Sequence, residues 1–165
     1  MSSEKKEKKN FFHLSFKQLI LFLKEELLIE EKKLPMRSRQ IWQSIYKKGF
    51  SEINSLTTLP LEMRGKLSSL LTFRKPKIIK KQISEDGTIK WLIQLFDKNE
   101  VECVYIPEKT RATLCISSQV GCTLNCKFCN TGTQRLVKNL DFSEIVSQVM
   151  IAKEEINDWE EEKKI

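Results

Sequence analysis

The sequence contains a single histidine, His13, far from every cysteine. His13 therefore reads as a surface or packing residue rather than a metal ligand. There is no Gly-rich phosphate loop, which argues against a phosphate-cradling nucleotide fold, and no internal repeat. No stretch approaches the roughly 18 apolar residues of a membrane-spanning helix. The N-terminal MSSEKKEKKN is charged but lacks the apolar run of a signal peptide. The cysteines, at positions 103, 115, 122, 126 and 129, are odd in number and clustered. Such a set does not form a secreted disulfide framework. These absences predict a reducing, cytoplasmic setting and no membrane partner.

What is present bounds the rest. A chain of 165 residues makes one ordinary domain or two small ones, and 40% hydrophobic residues can bury a core. The formal net charge is +7. Lysine and arginine neutralise phosphates and release counterions, so this balance suits a nucleic-acid partner. Solubility alone explains it equally well.

Residues 1–12 are polar and lysine-rich, and are expected to be a disordered basic tail. A helix is predicted from Ser15, its N-cap, with Phe16, Leu19, Ile20, Leu23, Leu27 and Leu28 recurring at 3–4-residue spacing. A second is predicted over Ser38–Lys48, with Ile41, Ile45 and Tyr46 inward, Trp42 flanking and Gly49 as the stop. A third follows Pro60, from Leu61 to Leu71. Residues 13–75 thus read as a small helical domain. Its Lys32, Lys33, Arg37, Arg39, Lys47, Lys48, Arg64 and Lys66 are candidates for RNA phosphates, the plainer reading being a solvated face.

After Pro76 the pattern changes to strands: Ile78-Ile79, Ile83, Thr88–Phe96 and Val101–Ile106. Glu85-Asp86-Gly87 and Asp97–Glu100 are turns. Residues 76–110 form a β-meander. In the last strand, alternation puts Glu102 on one face with Val104 and Ile106, and Cys103 with Tyr105 on the other. Glu102 is then either an ion-paired rim charge or a partly desolvated carboxylate suited to proton transfer. Ala112–Ser117 is a further strand, with Ala112, Leu114 and Ile116 on one face and Thr113, Cys115 and Ser117 on the other. The cysteine segment follows, then a helix capped by Asp141 or Ser143, with Ile145, Val146, Val149, Met150 and Ile151 apolar. Strand, loop and helix in that order make a βα unit, the first step of a parallel α/β sheet or barrel.

Cys122, Cys126 and Cys129 are spaced C-x3-C-x2-C, three thiols within eight residues. Thiolate clusters select zinc, copper(I) or iron–sulfur. Zinc needs four ligands, and Cys115 can supply the fourth, although structural zinc sites favour two separated pairs. A [4Fe-4S] cluster held by three thiolates keeps one iron open for a cofactor or substrate.

C-x3-C-x2-C with Phe128 before the last cysteine resembles the radical S-adenosylmethionine signature. The likeness extends to VECVYIPE at Val101–Glu108, RATLCISSQVGCTLNCKFCNTGTQ, KNL, RQIWQSIYKKGF and LTTLPLEMRGKL. In these segments, over about residues 15–155, the chain resembles the bacterial dual-specificity RNA methyltransferases that methylate carbon 2 of adenine in large-subunit rRNA and tRNA. A relative acting at carbon 8 of the same rRNA adenine shares this core. The resemblance implies a [4Fe-4S] cluster on Cys122, Cys126 and Cys129, with S-adenosylmethionine on the open iron and Phe128 near it. It implies methyl transfer through a methylated cysteine, Glu102 as proton acceptor and Cys115 as the disulfide-forming cysteine. Cys103 matches no functional position and reads as a packing thiol. Partners implied are rRNA, tRNA and an electron donor for the cluster.

The family's Gly-Glu segment for the methionine amine and its methyl-carrying cysteine have no counterpart here, and Arg135 and Leu136 stand where many relatives have Gly and an aromatic. The expectation is therefore a truncated or split copy, a partial gene model or a remnant, inactive alone; a split copy would be served by a separately encoded C-terminal half. The fold expected is an α+β N-terminal part, a helical accessory domain plus β-meander, leading at residues 111–165 into the first βα unit of an incomplete α/β radical SAM barrel. The competing function class is a non-catalytic RNA-binding or metal-binding module.

Overall fold

The computed structural model describes residues 7–123 and 134–159. The chain divides between Arg74 and Lys75 into two compact units.

The first unit is helical. Lys9–Asn10 is a short strand, β1, and a 3-10 turn covers Phe11–His13. Helices α1 (Phe16–Glu25), α2 (Leu34–Tyr46) and α3 (Leu61–Leu70) follow. Strand β2 (Leu71–Thr72) runs parallel to β1. Ser15 caps α1 in a capping box with Gln18, satisfying two otherwise orphaned backbone donors. Gly49 takes φ 72° after α2, the left-handed stop that glycine allows without a Cβ penalty.

Three helix expectations shift. Helix α1 ends at Glu25, so Leu28 falls outside it, at φ 52° and 84% exposed. Helix α2 begins four residues earlier than predicted, because Pro35 suits the first turn, where its missing N–H costs nothing. In α3 only Leu67 is buried, and Leu61 is exposed.

Of the disordered tail expected over 1–12, residues 9–12 instead form β1 and the start of the 3-10 turn, and residues 1–6 lie outside the described residues. Phe11 and Phe12 are buried, and Phe11 packs against Trp42, Tyr46 and Phe73 with ring centroids 5.9, 5.7 and 5.3 Å away. Two adjacent phenylalanines outweigh the lysine-rich context, since each buries a large apolar area.

The second unit is built on a four-stranded antiparallel sheet in the order β3 (Lys77–Ile83), β4 (Ile89–Gln94), β5 (Glu100–Pro107), β6 (Ala112–Cys115). Both turns form where expected. Gly87 stands at φ 82° and Asp86 accepts from the Thr88 amide, while Lys98 supplies the left-handed residue of the second turn. Strand β3 is an edge strand carrying Lys77, Lys80 and Lys81, charges that discourage pairing with another chain.

A two-stranded pair, β7 (Gln119–Val120) and β8 (Lys138–Asn139), brackets the cysteine segment. Helix α4 (Phe142–Glu155) follows, capped by Asp141 in a capping box with Glu144. One sheet face is dry. Trp91, Ile93, Val101, Cys103 and Tyr105 form the core, with Leu140, Ile151 and Ala152 packed on it.

One strand bound is corrected. Strand β6 ends at Cys115 rather than Ser117, and its described pairing is antiparallel, with β5. A parallel partner for it, the start of a barrel, is not found among the described residues. The broad result is a mixed α/β chain.

Candidate active face and cysteine neck

Residue alternation places the candidate groups. In β5 the inward residues are Val101, Cys103 and Tyr105, so Glu102, Val104 and Ile106 face outward. Leu92 pairs with Glu102, Lys90 with Val104, and Val104 with Cys115. Glu102 and Cys115 therefore share the outer face as diagonal neighbours, roughly 7–8 Å apart between Cα atoms.

The Glu102 carboxylate is 53% exposed and meets Lys90 Nζ at 3.0 Å. The desolvated alternative for this group thus gives way to the ion-paired one, because no second layer covers the outer face among the described residues. Cys115 is an exposed free thiol. Cys103, one step along β5 but on the inner face, is fully buried. Burial, with a smaller contribution from Cys115, pushes its thiol up to about 12. A thiol that stays protonated is unreactive, which suits a packing role.

Two residues beyond β6, Ser117 ties the strand end back to its neighbour, its hydroxyl donating to the Glu102 carbonyl at 2.8 Å. The chain then enters the cysteine segment through a pinched neck. The Val137 amide donates to Val120 O at 2.8 Å, Leu140 to Ser118 O at 2.9 Å and Cys122 to Gln134 O at 3.1 Å. Gly121 is required there. It sits at φ 76°, and a Cβ on it would lie 2.1 Å from the Arg135 carbonyl oxygen. Asn139 Oδ1 accepts from Gln119 Nε2 at 2.7 Å across the same pair.

Cys122 is half-buried at this neck. Cys126, Cys129 and Phe128 lie outside the described residues, and among the described residues no group of three acidic, histidine or cysteine side chains is placed to hold a metal. The neck nonetheless fits a three-thiolate centre. It closes the segment that bears all three cysteines, lowering the chain entropy lost when they converge on one ion cluster. Soft thiolates are also the donors that iron–sulfur clusters take.

Residues with no apolar signature support this arrangement. Helix α4 buries Ser143, Glu144, Ser147 and Gln148 beside Met150, Ile151 and Ala152, while Ile145, Val146 and Val149 are only half-buried. Lys138 Nζ meets Glu144 Oε1 at 2.7 Å and also pairs with Asp97, joining β8, α4 and the β4–β5 turn. The only sequence signal was the Glu144–Gln148 spacing of four, which places both on one face.

In the helical unit, several candidate phosphate contacts are already engaged. Lys32 and Lys33 pair with Glu30, and Lys66 pairs with Glu62. Arg37 donates to Gln40 and Thr58 O, and Arg64 to Asn54 O. Such exposed pairs favour a solvated face for these five. Among the described residues no helix is long and apolar enough to cross a membrane.

No family model matches the chain. It is 52% identical over 130 residues to the dual-specificity RNA methyltransferase RlmN of Rhodopseudomonas palustris strain BisB5, covering 75% of this chain and 33% of that protein. The protein of the same name from Nitrobacter winogradskyi is 51% identical over 130 residues, with the same shares covered. One from a Bradyrhizobium strain is 47% identical over 137 residues, covering 79% of this chain and 34% of that protein. The crystal structure of a radical SAM methyltransferase from Sphaerobacter thermophilus matches with a TM-score of 0.75 and 29% identity, over 90% of this chain and 42% of that one. The chain spans about a third of the length of the curated relatives it matches. By sequence the chain belongs to the dual-specificity RNA methyltransferase family, of whose members it spans about a third, and its fold is similar to that of a radical SAM methyltransferase.

Proposed function

We propose that this chain is the portion of an RNA methyltransferase that supplies the cluster cysteines, the proton acceptor and one redox cysteine for methylation of adenine carbon 2 in rRNA and tRNA. The observation that carries the reading is the shared outer face: Glu102 and Cys115 are register neighbours, and the strand bearing Cys115 leads within seven residues to Cys122 at the neck.

Cys122, Cys126 and Cys129 are the residues that would hold a [4Fe-4S] cluster, which with S-adenosylmethionine supplies reducing, radical-forming chemistry when bound. Two of the chain's own groups serve the later steps. The Lys90 ammonium fixes the Glu102 carboxylate on the outer face, where it accepts the proton that leaves the adenine ring. The exposed Cys115 thiol loses its proton and its sulfur attacks the sulfur of the methyl-carrying cysteine; the bond from that sulfur to the carbon joined to the base breaks, the electron pair passes to the base, which takes up a proton and leaves methylated, and the two cysteines are left as a disulfide. Cys103 cannot substitute, being held on the opposite face. An electron donor and the RNA are the partners this chemistry needs, and the cytoplasm is where the thiols stay reduced.

A chimaera tests this reading. In an RlmN relative, the segment matching this chain is replaced by it, and rRNA and tRNA adenines are analysed by mass spectrometry. Methylation at carbon 2, abolished by Cys115→Ala and by Glu102→Gln, supports the assignment. Methylation at carbon 8, or activity surviving both substitutions, contradicts it.

A further inference from the structure

A two-bond side-chain clamp in the second unit joins α4 to the segment between Cys115 and Cys122. Gln148 is fully buried at the middle of α4. Its Oε1 accepts from the Ser117 amide at 2.9 Å, and its Nε2 donates to the Ser117 carbonyl at 2.9 Å. One side-chain amide thus satisfies both backbone groups of one residue, as a neighbouring strand would. It does so two residues after β6 ends, where no strand pairs with Ser117 among the described residues. The Ser117 hydroxyl meanwhile holds the Glu102 carbonyl, and the next residue, Ser118, accepts from Leu140 at the neck.

Ser117 is therefore the junction of three features: the Glu102 backbone, the end of the Cys115 strand and the entrance to the cysteine segment. The geometry points to Gln148 as a positioning residue that sets the placement of Glu102 and Cys115 relative to the Cys122 neck. The assignment rests on the function proposed above. It touches no reacting atom and acts only through Ser117. A glutamine suits this task because its planar amide presents one donor and one acceptor side by side, matching one residue's N–H and C=O. Leaving either group unpaired inside the protein is costly, so the amide fixes one arrangement rather than several.

The test uses the 165-residue chain and two substitutions. Gln148→Leu keeps the volume but removes both hydrogen bonds. Gln148→Glu keeps one donor and one acceptor when protonated, but only acceptors when ionised. Hydrogen exchange is followed at the Ser117 and Ser118 amides relative to core amides of Trp91 and Ile93, and the electron paramagnetic resonance spectrum of the reduced, iron- and sulfide-reconstituted chain is recorded. In Gln148→Leu, Ser117 should exchange about tenfold faster while the core amides are unchanged, and the cluster spectrum should broaden. Gln148→Glu should resemble the parent at pH 5; at pH 9 its carboxylate still accepts from the Ser117 amide but repels the Ser117 carbonyl, so Ser117 should exchange faster than in the parent at that pH and more slowly than in Gln148→Leu. Unchanged Ser117 exchange, equal acceleration of the core amides, or no pH dependence in Gln148→Glu overturns the assignment. If Gln148→Leu does not fold, the pH profile of Gln148→Glu still decides it. A parent chain that takes up no cluster refutes the functional reading, and the exchange data then judge the clamp separately.

Discussion

The two faces of the β3–β6 sheet differ in what covers them. Each face holds a cysteine. Cys103 is fully buried beside Trp91, and its thiol is pushed up to about 12, whereas Cys115 is exposed. The inner face is otherwise aromatic and aliphatic, and the outer face carries Lys90, Glu102 and Cys115 among aliphatics. The backbone alternation that separates them is a period of two. Stability and the proposed chemistry are therefore divided between faces, and a one-residue slip of β5 would exchange them.

The largest test of that division is on the inner face. Trp91→Ala should cost about 3–5 kcal/mol in urea unfolding, since it empties the centre of the core. A loss below about 1 kcal/mol would show that the core is not organised around this face. Next is Gly121→Val, which places side-chain atoms against the Arg135 carbonyl and adds strain at φ 76°. It should open the neck, seen as faster exchange at the Val137 and Leu140 amides with the sheet amides protected. Slow exchange in the variant would mean that the neck does not depend on the close approach.

The thiols distinguish the faces by pH. The Cys103 pKa lies at about 12 in the folded chain against an ordinary 9.0, so the folded state binds the proton more tightly. Its contribution is fully present below pH 9 and is lost as pH rises from 9 towards 12. Cys103→Ala should lower stability at pH 7 but flatten this alkaline decline. In the parent at pH 8, iodoacetamide should modify Cys115 and leave Cys103 intact, as read by peptide mass spectrometry. The smallest effect is expected from Glu102→Gln, which removes an exposed pair with Lys90 and should change stability by less than about 1 kcal/mol. A larger loss would make Glu102 a structural residue and weaken its place in the chemistry.

Most of this division was legible from alternation in Val101–Ile106, and the turns from Asp86-Gly87 and Asp97–Glu100. Capping of α1 and α4 was legible because Ser15 and Asp141 each precede an apolar-periodic run. The burial of Phe11 and Phe12 was masked by the lysines around them. The exposure of Glu102 was not legible, because alternation assigns a face but not what covers it. Gln148 was missed for a related reason: a buried glutamine has no apolar signature, and its partner is the backbone of a residue 31 positions away. The ligand thiols were the reverse case. Their spacing alone proposed the centre, and the fold adds the neck that closes the segment carrying them.

The segment from Cys122 to Cys129 is proposed to bind a [4Fe-4S] cluster through three thiolates. Anaerobic reconstitution of the chain with iron and sulfide, followed by iron and sulfide analysis, tests it most directly. The account predicts about four irons and four sulfides per chain, with uptake lost in Cys122→Ala, Cys126→Ala and Cys129→Ala but kept in Cys115→Ala. Uptake that requires Cys115, or a single zinc bound by all four cysteines, would contradict it.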